Sequence, residues 1–503
     1  MKRIFILTLA ASFISFAACS SDDGKATTEK PTPIEQQPTE PITTEPTPTE
    51  PIKIDTAKLD AFFDVLERAD RLMGSIAISH DGKPIYQKSI GFSDIEKNIK
   101  MNENSKCRIA SISKTFTAVL VLKAIEAGKL SLNQTIAATF PKIENADKIT
   151  IEHLLYQRSG LGPYEDALLE EMGGAPTYDA YVDWVTQLKE RDQMVALISK
   201  TKSIFEPGTE HDYQNMNFIL LSYLLEDAYQ KPYAEILEEQ ITKPLGLTNT
   251  RLGQNNGECR SYIPAGSWKA DPQLHSSIVL GTGGLVSTPL DLIQFIEALS
   301  SGKLISPENL ERMKTIKDGY GMGLFDFSLV FPSGEKIVGY GHSGSVMSFR
   351  SFLVHLPERK ISFSYIFNAF NYPLYKVYMA ILSTLFDIPF PFELPEFYDI
   401  STVDLDPYLG TYSTTATLPP EFAPLASLVI KKSDNNKKLV MEIKGFEHIT
   451  ETLQFVFSDF SMEATGKDEF ETTLGDLDVV LKFNLTKGTM KLETPEGTLL
   501  YTQ

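Results

Sequence analysis

Cysteine is scarce in this chain, with three in 503 residues, and neither Cys107 nor Cys259 has a neighbouring Cys/His set at metal-ligand spacing. The seven histidines are scattered as well, so no structural zinc site is readable. Cations are in deficit: 47 Lys and Arg face 66 Asp and Glu, a formal net charge of −19, with no compact basic patch to offset it. Such a surface repels phosphate, which excludes nucleic acid as a partner. What remains is an ordinary globular composition, 42% hydrophobic and 22% charged, with material for more than one domain.

The N-terminus reads as an export signal. Lys2 and Arg3 precede an apolar run from Ile4 to Ala18, short of the roughly 20 residues that a membrane span needs. Phe16-Ala17-Ala18-Cys19 resembles a bacterial lipobox, although Phe16 stands where an aliphatic residue is usual. Residues 1–18 are then a lipoprotein signal peptide and Cys19 the lipidated mature terminus. The expected location is a bacterial membrane, on its periplasmic or cell-surface side, with the membrane as a partner through the lipid. Residues 19–53 are rich in Pro, Thr and Glu, as in "KPTPIEQQPTEPITTEPTPTEP", and predict a disordered tether reaching on the order of 90 Å. Cys107 and Cys259 could bridge in an oxidising compartment, but Cys107 lies in the run entering Ser111, where a buried apolar side chain is the simpler reading.

Ser-x-x-Lys occurs four times, at Ser111, Ser199, Ser300 and Ser333. The last three read as caps and turns. Only Ser111 follows a short buried-looking run and opens a helix that is apolar on nearly all sides, through Phe116, Val119, Leu120, Leu122, Ala124 and Ile125. Residues at i and i+3 meet on a helix surface, so Lys114 lies beside the Ser111 hydroxyl as a base beside a nucleophile. Burial lowers an amine's pKa from about 10.4 toward neutrality, and the helix N-terminus supplies N–H groups for an oxyanion. The alternative reading is a capping serine with a snorkelling lysine.

Two later stretches bear on that choice. Tyr213-Gln214-Asn215 enters a second, amphipathic helix, and His342-Ser343-Gly344-Ser345 lies on a strand-like run whose glycine permits close backbone approach. Ser111-x-x-Lys114, Tyr213-x-Asn215 and His342-x-Gly344, in this order, resemble the serine hydrolase family of class C β-lactamases, D,D-peptidases and related esterases. "HLLYQRSGL" from His153 and "GTGGLVSTPLDLIQF" from Gly281 are similar to supporting segments of that family. The likeness covers roughly residues 56–389.

The resemblance implies that Ser111 is acylated, that Lys114 activates it, that Tyr213 passes the proton to the leaving group, and that Asn215 orients Lys114 and the substrate. It also implies an oxyanion site made of the Ser111 and Ser345 N–H groups. His342 replaces the lysine of class C β-lactamases and is largely neutral at pH 7. That substitution resembles the D,D-peptidase, D-aminopeptidase and esterase branches. Gln157 stands where the family has a histidine, which bears more on loop packing than on chemistry.

The implied fold is α+β: an antiparallel sheet flanked by helices with a helical subdomain, over residues 54–395. Hairpin-like alternation around Asp81-Gly82 and strand-like runs at "RSFLVHL" and "KISFSYIF" agree with it. From 396 to 503, short alternating runs such as Val479, Leu481, Phe483 and Leu485 predict a small all-β domain. "LDPYLGTYS" from Leu405 resembles the opening of a lipocalin-like barrel appended to such hydrolases. The expected function is an extracytoplasmic serine hydrolase acting on a small-molecule or peptide substrate and requiring no cofactor or metal. The alternatives are a carboxylesterase of the same fold or a non-catalytic binding protein that retains it.

Overall fold

The computed structural model describes residues 54–503 apart from 172–176, 266, 332–333, 387–393, 396, 399–402, 419, 434–437, 445–447, 450–454, 457–458, 475–476 and 495–496. The signal segment, Cys19 and the Pro/Thr/Glu tether lie outside the described residues.

The hairpin expected at Asp81-Gly82 forms. After α1 (Thr56–Arg68), β1 (Leu72–His80) and β2 (Lys83–Ile90) pair antiparallel with Ile78 opposite Tyr86, and the two loop residues take φ of 50° and 74°. Two left-handed residues in a row match the twist of the strands they join, and Asp-Gly tolerates that conformation. α2 (Ser113–Glu126), α3 (Tyr178–Thr186) and α4 (Asn215–Tyr229) belong to the helical region. β3 (Tyr262–Ala265) and β4 (Ser267–Ala270) make a second hairpin, and α5 (Pro289–Ser300) follows. β5 (Phe325–Asp326), β6 (Tyr340–Val346), β7 (Phe349–Leu356) and β8 (Ile361–Phe370) return to the sheet before α6 (Leu374–Leu385).

The sheet runs β5-β6-β7-β8-β1-β2, with β3 joined to β8 at Tyr262–Ala369 and β4 joined to β3. First and late strands are therefore neighbours, as expected. β8 is buried along almost its whole length because both sheet faces are covered. Phe363, Tyr365 and Phe367 pack with α1 and α6, whereas Ser362 on the other face donates to Glu297 of α5 at 2.9 Å. α4 differs from the amphipathic helix expected: Met216 to Leu225 are all buried, because α2 and neighbouring helices enclose it. Among the described residues no helix is long and apolar enough to cross a membrane.

The C-terminal alternation closes into an antiparallel barrel of eight strands, from Gly410–Ser413 round to Gly497–Thr502, sealed by the pairing of Ser413 with Thr502. Val479, Leu481 and Phe483 point into its core with Tyr412, Phe470 and Tyr501, whereas Leu485, past the strand end, is exposed. Barrel and sheet meet through buried charge. Arg71 pairs with Glu463 at 3.4 Å, and Glu463 also accepts from Asn371 at 2.9 Å and Lys438 at 2.6 Å.

Cys107 and Cys259 are bonded to each other, which corrects the expectation of an unpaired buried thiol. The Cys259 N–H donates to the Lys106 carbonyl at 2.9 Å, so the backbone pairs the two segments and aligns the cysteines. The bond ties residues 152 apart in sequence, just ahead of the Ser111 turn. Cross-linking so long a loop removes much unfolded-state entropy, typically worth about 2–5 kcal/mol. Cys259→Ser is therefore expected to lower the thermal midpoint by several degrees in calorimetry; an unchanged midpoint would show the bond adds nothing.

Candidate active site

The run Cys107-Arg108 pairs with Ser287-Val286, and this short strand delivers the chain to Ser111. Arg108 fixes the delivery. Its buried guanidinium donates to Leu274 O (2.6 Å), Asn255 Oδ1 (2.9 Å), Ser276 Oγ (3.2 Å) and Gly284 O (3.4 Å). Burial pulls its pKa down to about 10, so it keeps its charge at neutral pH.

Ser111 lies in a single 3-10 turn, Ala110–Ile112, and α2 begins two residues later than the sequence pattern suggests. Just before Ser111, Ala110 takes a left-handed φ of 46°, so the chain turns sharply into Ser111. Such a residue costs of order 1–3 kcal/mol and persists only where its surroundings fix it. Here β6 lies against it. A β-carbon on Gly344 would collide with Ile109 O and Ser351 Oγ, and would sit 3.0 Å from Ala110 Cβ, so only glycine allows this approach. Ser351 Oγ in turn donates to Ile109 O at 2.7 Å.

Lys114 is fully buried on the first turn of α2. Its Nζ is 2.9 Å from Ser111 Oγ, 2.8 Å from Asn215 Oδ1 and 3.2 Å from Thr282 O, and 4.9 Å from the centre of the Tyr213 ring. Asn215 opens α4, and Gln214 before it is extended (φ −127°, ψ 125°), which turns Tyr213 and Asn215 to the same side. Asn215 Oδ1 also accepts from Thr282 Oγ1 at 3.0 Å. Burial pushes the Tyr213 phenol pKa up, and its interaction with the Ser111 side chain opposes part of the rise.

His342 faces the same group of side chains from β6. Nδ1–H donates to Ser343 O at 2.5 Å, leaving Nε2 to accept from Tyr320 at 3.2 Å. Burial, with the nearby Lys114 charge, drops its pKa to about 3, so it is neutral throughout the physiological range. Tyr213, Tyr320, Phe325 and His342 form an aromatic wall with ring centres 4.8–6.3 Å apart. Ser345 stands three residues beyond His342. β5 covers only Tyr340 and Gly341, so the outer edge of β6 from His342 onward has no strand partner among the described residues. Val346 and Phe349 close a two-residue hairpin, in which the closing pair exchanges both hydrogen bonds, so the Ser345 N–H points away from β7.

The structure thus brings Ser111, Lys114, Tyr213, Asn215, His342, Gly344 and Ser345 to one place. Sequence reasoning did not single out Thr282, although it lies in the "GTGGL" segment already noted, nor Tyr320, whose only signal was its place in a glycine-rich turn. Gln157 proves to be part of the site's floor. Its fully buried Oε1 accepts from the Gln214 N–H at 3.1 Å and from Asn217 at 2.5 Å, which anchors the Tyr213-x-Asn215 segment. Among the described residues no group of His, Cys, Asp and Glu could hold a metal.

A family profile described as Beta-lactamase matches residues 59–385. The chain is 28% identical over 264 residues to the D-alanyl-D-alanine-carboxypeptidase/endopeptidase AmpH of Escherichia coli, a match covering 51% of this chain and 66% of that protein, just under two thirds of its length. Among solved structures, a D-stereospecific amidohydrolase from Streptomyces sp. superposes with a TM-score of 0.53 at 25% identity, over 62% of this chain and 94% of that one. The octameric penicillin-binding protein homologue from Pyrococcus abyssi gives a TM-score of 0.57 at 23% identity over 89% of this chain and 100% of its own, which is a likeness of fold.

The depressed His342 pKa sets a direction for acid stability. Between about pH 6.5 and 3 the unfolded chain binds a proton here that the folded protein does not, so stability falls as pH falls through that window. In urea unfolding, His342→Asn is expected to narrow the loss between pH 7 and pH 5 by up to about 2 kcal/mol, from about 1.4 kcal/mol per pH unit below 6.5. Equal losses in both proteins would show that His342 carries its proton in the fold.

Proposed function

Because the chain belongs to the Beta-lactamase family, we propose that this serine hydrolase is exported and works through an acyl-Ser111 intermediate on an amide, peptide or ester bond. The substrates would be of D,D-peptidase, D-aminopeptidase or β-lactamase type. The observation that carries this reading is the contact of Lys114 Nζ with Ser111 Oγ at 2.9 Å, with Asn215 and Thr282 holding the amine in place. In the reaction an uncharged Lys114 directs its two N–H bonds to Asn215 Oδ1 and Thr282 O. Its lone pair takes the Ser111 proton as Ser111 Oγ bonds to the carbonyl carbon, and the ammonium so formed reprotonates Tyr213 once the phenol has given its own proton away. The leaving group departs with a proton delivered by the Tyr213 hydroxyl, and water then cleaves the Ser111 ester. A phenol whose pKa is raised stays protonated at neutral pH, as that delivery requires. The Ser111 and Ser345 N–H groups would meet the oxyanion.

His342 narrows the choice of substrate. A neutral imidazole gives no fixed cation at this position to draw a carboxylate. That favours D-amino-acid amides and esters over peptides ending in a free carboxylate, and it keeps a carboxylesterase as the second reading. The Cys107–Cys259 bond supports an oxidising compartment, in line with export and lipidation at Cys19.

Ser111→Ala is expected to abolish hydrolysis of both a p-nitrophenyl ester and a D-amino-acid p-nitroanilide while leaving the circular dichroism unchanged. Tyr213→Phe should cut anilide turnover by about 10²–10⁴ and ester turnover less, because p-nitrophenolate leaves without a proton. Full activity in Ser111→Ala would overturn the assignment.

A further inference from the structure

The turn that follows Ser345 is strained and unusually well held. β6 and β7 are joined by Met347-Ser348 alone, and Met347 is buried at a φ of 50°. Glycine is the usual residue at the first position of a two-residue loop with that conformation, and a longer side chain persists there only where its surroundings fix it. Three groups do so. Arg350 donates to Met347 O at 2.8 Å, Tyr181 of α3 donates to Met347 Sδ at 2.9 Å, and the Ser348 N–H donates to Asp271 Oδ2 at 2.8 Å.

Asp271 stands immediately after β4. Its Oδ2 also accepts from Ser261 Oγ at 2.6 Å, and its own N–H donates to Ser261 O at 2.9 Å. The carboxylate is buried, and among the described residues Oδ1 has no hydrogen-bond partner. A buried carboxylate with one oxygen unpaired is a poor stabiliser of a fold. Through Oδ2 it links the hairpin, at Ser261, to the turn that fixes where the Ser345 N–H points.

We propose that Asp271 is a positioning residue of this hydrolase, anchoring the Met347-Ser348 turn to the β3–β4 hairpin so that the Ser345 N–H stays aimed at the oxyanion. This inference rests on the acyl-Ser111 reading above. It also explains what the β3–β4 hairpin is for. The hairpin is joined to β8 at Tyr262 and packs against a barrel strand, so its end is a firm support for the turn.

The test compares Asp271→Ala with Asp271→Asn, whose amide oxygen can still accept from Ser348 N–H and Ser261. Rates are normalised to the number of active sites titrated with a fluorophosphonate, so that loss of folded protein does not count. Phenylboronic acid, which bonds to Ser111 Oγ as a tetrahedral anion, reports the oxyanion site directly. Asp271→Ala is expected to lower per-site ester turnover and boronate affinity together by about 10–100-fold. The KM should move by less than about threefold, and Asp271→Asn should stay within about threefold of the parent in all three. Per-site values in Asp271→Ala equal to the parent, or a fall in Asp271→Asn as deep as in Asp271→Ala, would overturn the proposal. Should Asp271→Ala fail to fold, Ser261→Ala decides. Turnover and boronate affinity falling together there support it, and unchanged values overturn it. A parent protein inert to both probes would instead overturn the acyl-serine reading.

Discussion

The burial of Lys114 is the constraint on which the rest of this site depends. An amine without access to water must be met by hydrogen-bonding groups, or it either loses its charge or destabilises the fold. Here the answering groups come from three separate parts of the chain: Ser111 from the turn before α2, Asn215 from the start of α4, and Thr282 from the loop before α5. None of these elements could shift by an ångström without leaving a buried polar group unpaired. Ser111, Lys114 and the cleft wall at Asn215 and Thr282 are thereby located by one set of bonds.

Around that centre, close backbone approach achieves what side chains could not. Gly344 lets β6 press on the turn that carries Ser111, and the left-handed Ala110 offers the hydroxyl to the cleft instead of winding it into α2. Arg108 and the Cys107–Cys259 bond brace the incoming strand from behind, while Gln157 braces the segment bearing Tyr213. The positions of Ser111 and Ser345 therefore have rigid supports on both sides, as oxyanion stabilisation needs. The aromatic wall of Tyr213, Tyr320, Phe325 and His342 lines one side of this centre and carries no permanent positive charge at His342.

Much of this was legible in the chain itself, for physical reasons. A helix apolar all round must be buried, so a Ser-x-x-Lys at its start must be either compensated or used; this singled Ser111 out from Ser199, Ser300 and Ser333. Period-two alternation marked the hairpin at Asp81-Gly82 and the strands of the barrel, because a strand with one buried face leaves that signature. The illegible parts depend on long-range register. Cys107 and Cys259 lie 152 residues apart, and nothing local shows that a backbone bond from Cys259 to Lys106 aligns them. The sharp turn into Ser111 rests on Ala110, a residue whose identity gives no warning of a left-handed conformation. Asp271 and Tyr320 were equally silent, since each acts through a partner tens of residues away.

The claim that Lys114 activates Ser111 is tested most directly by treating the purified protein with a fluorophosphonate and mapping the adduct by mass spectrometry, in parallel with Lys114→Met. The hydroxyl oxygen displaces fluoride only if it is made nucleophilic, so a single adduct on Ser111 is expected, formed orders of magnitude more slowly in Lys114→Met. An adduct on another serine, or equal labelling of Ser111 in both proteins, would contradict it.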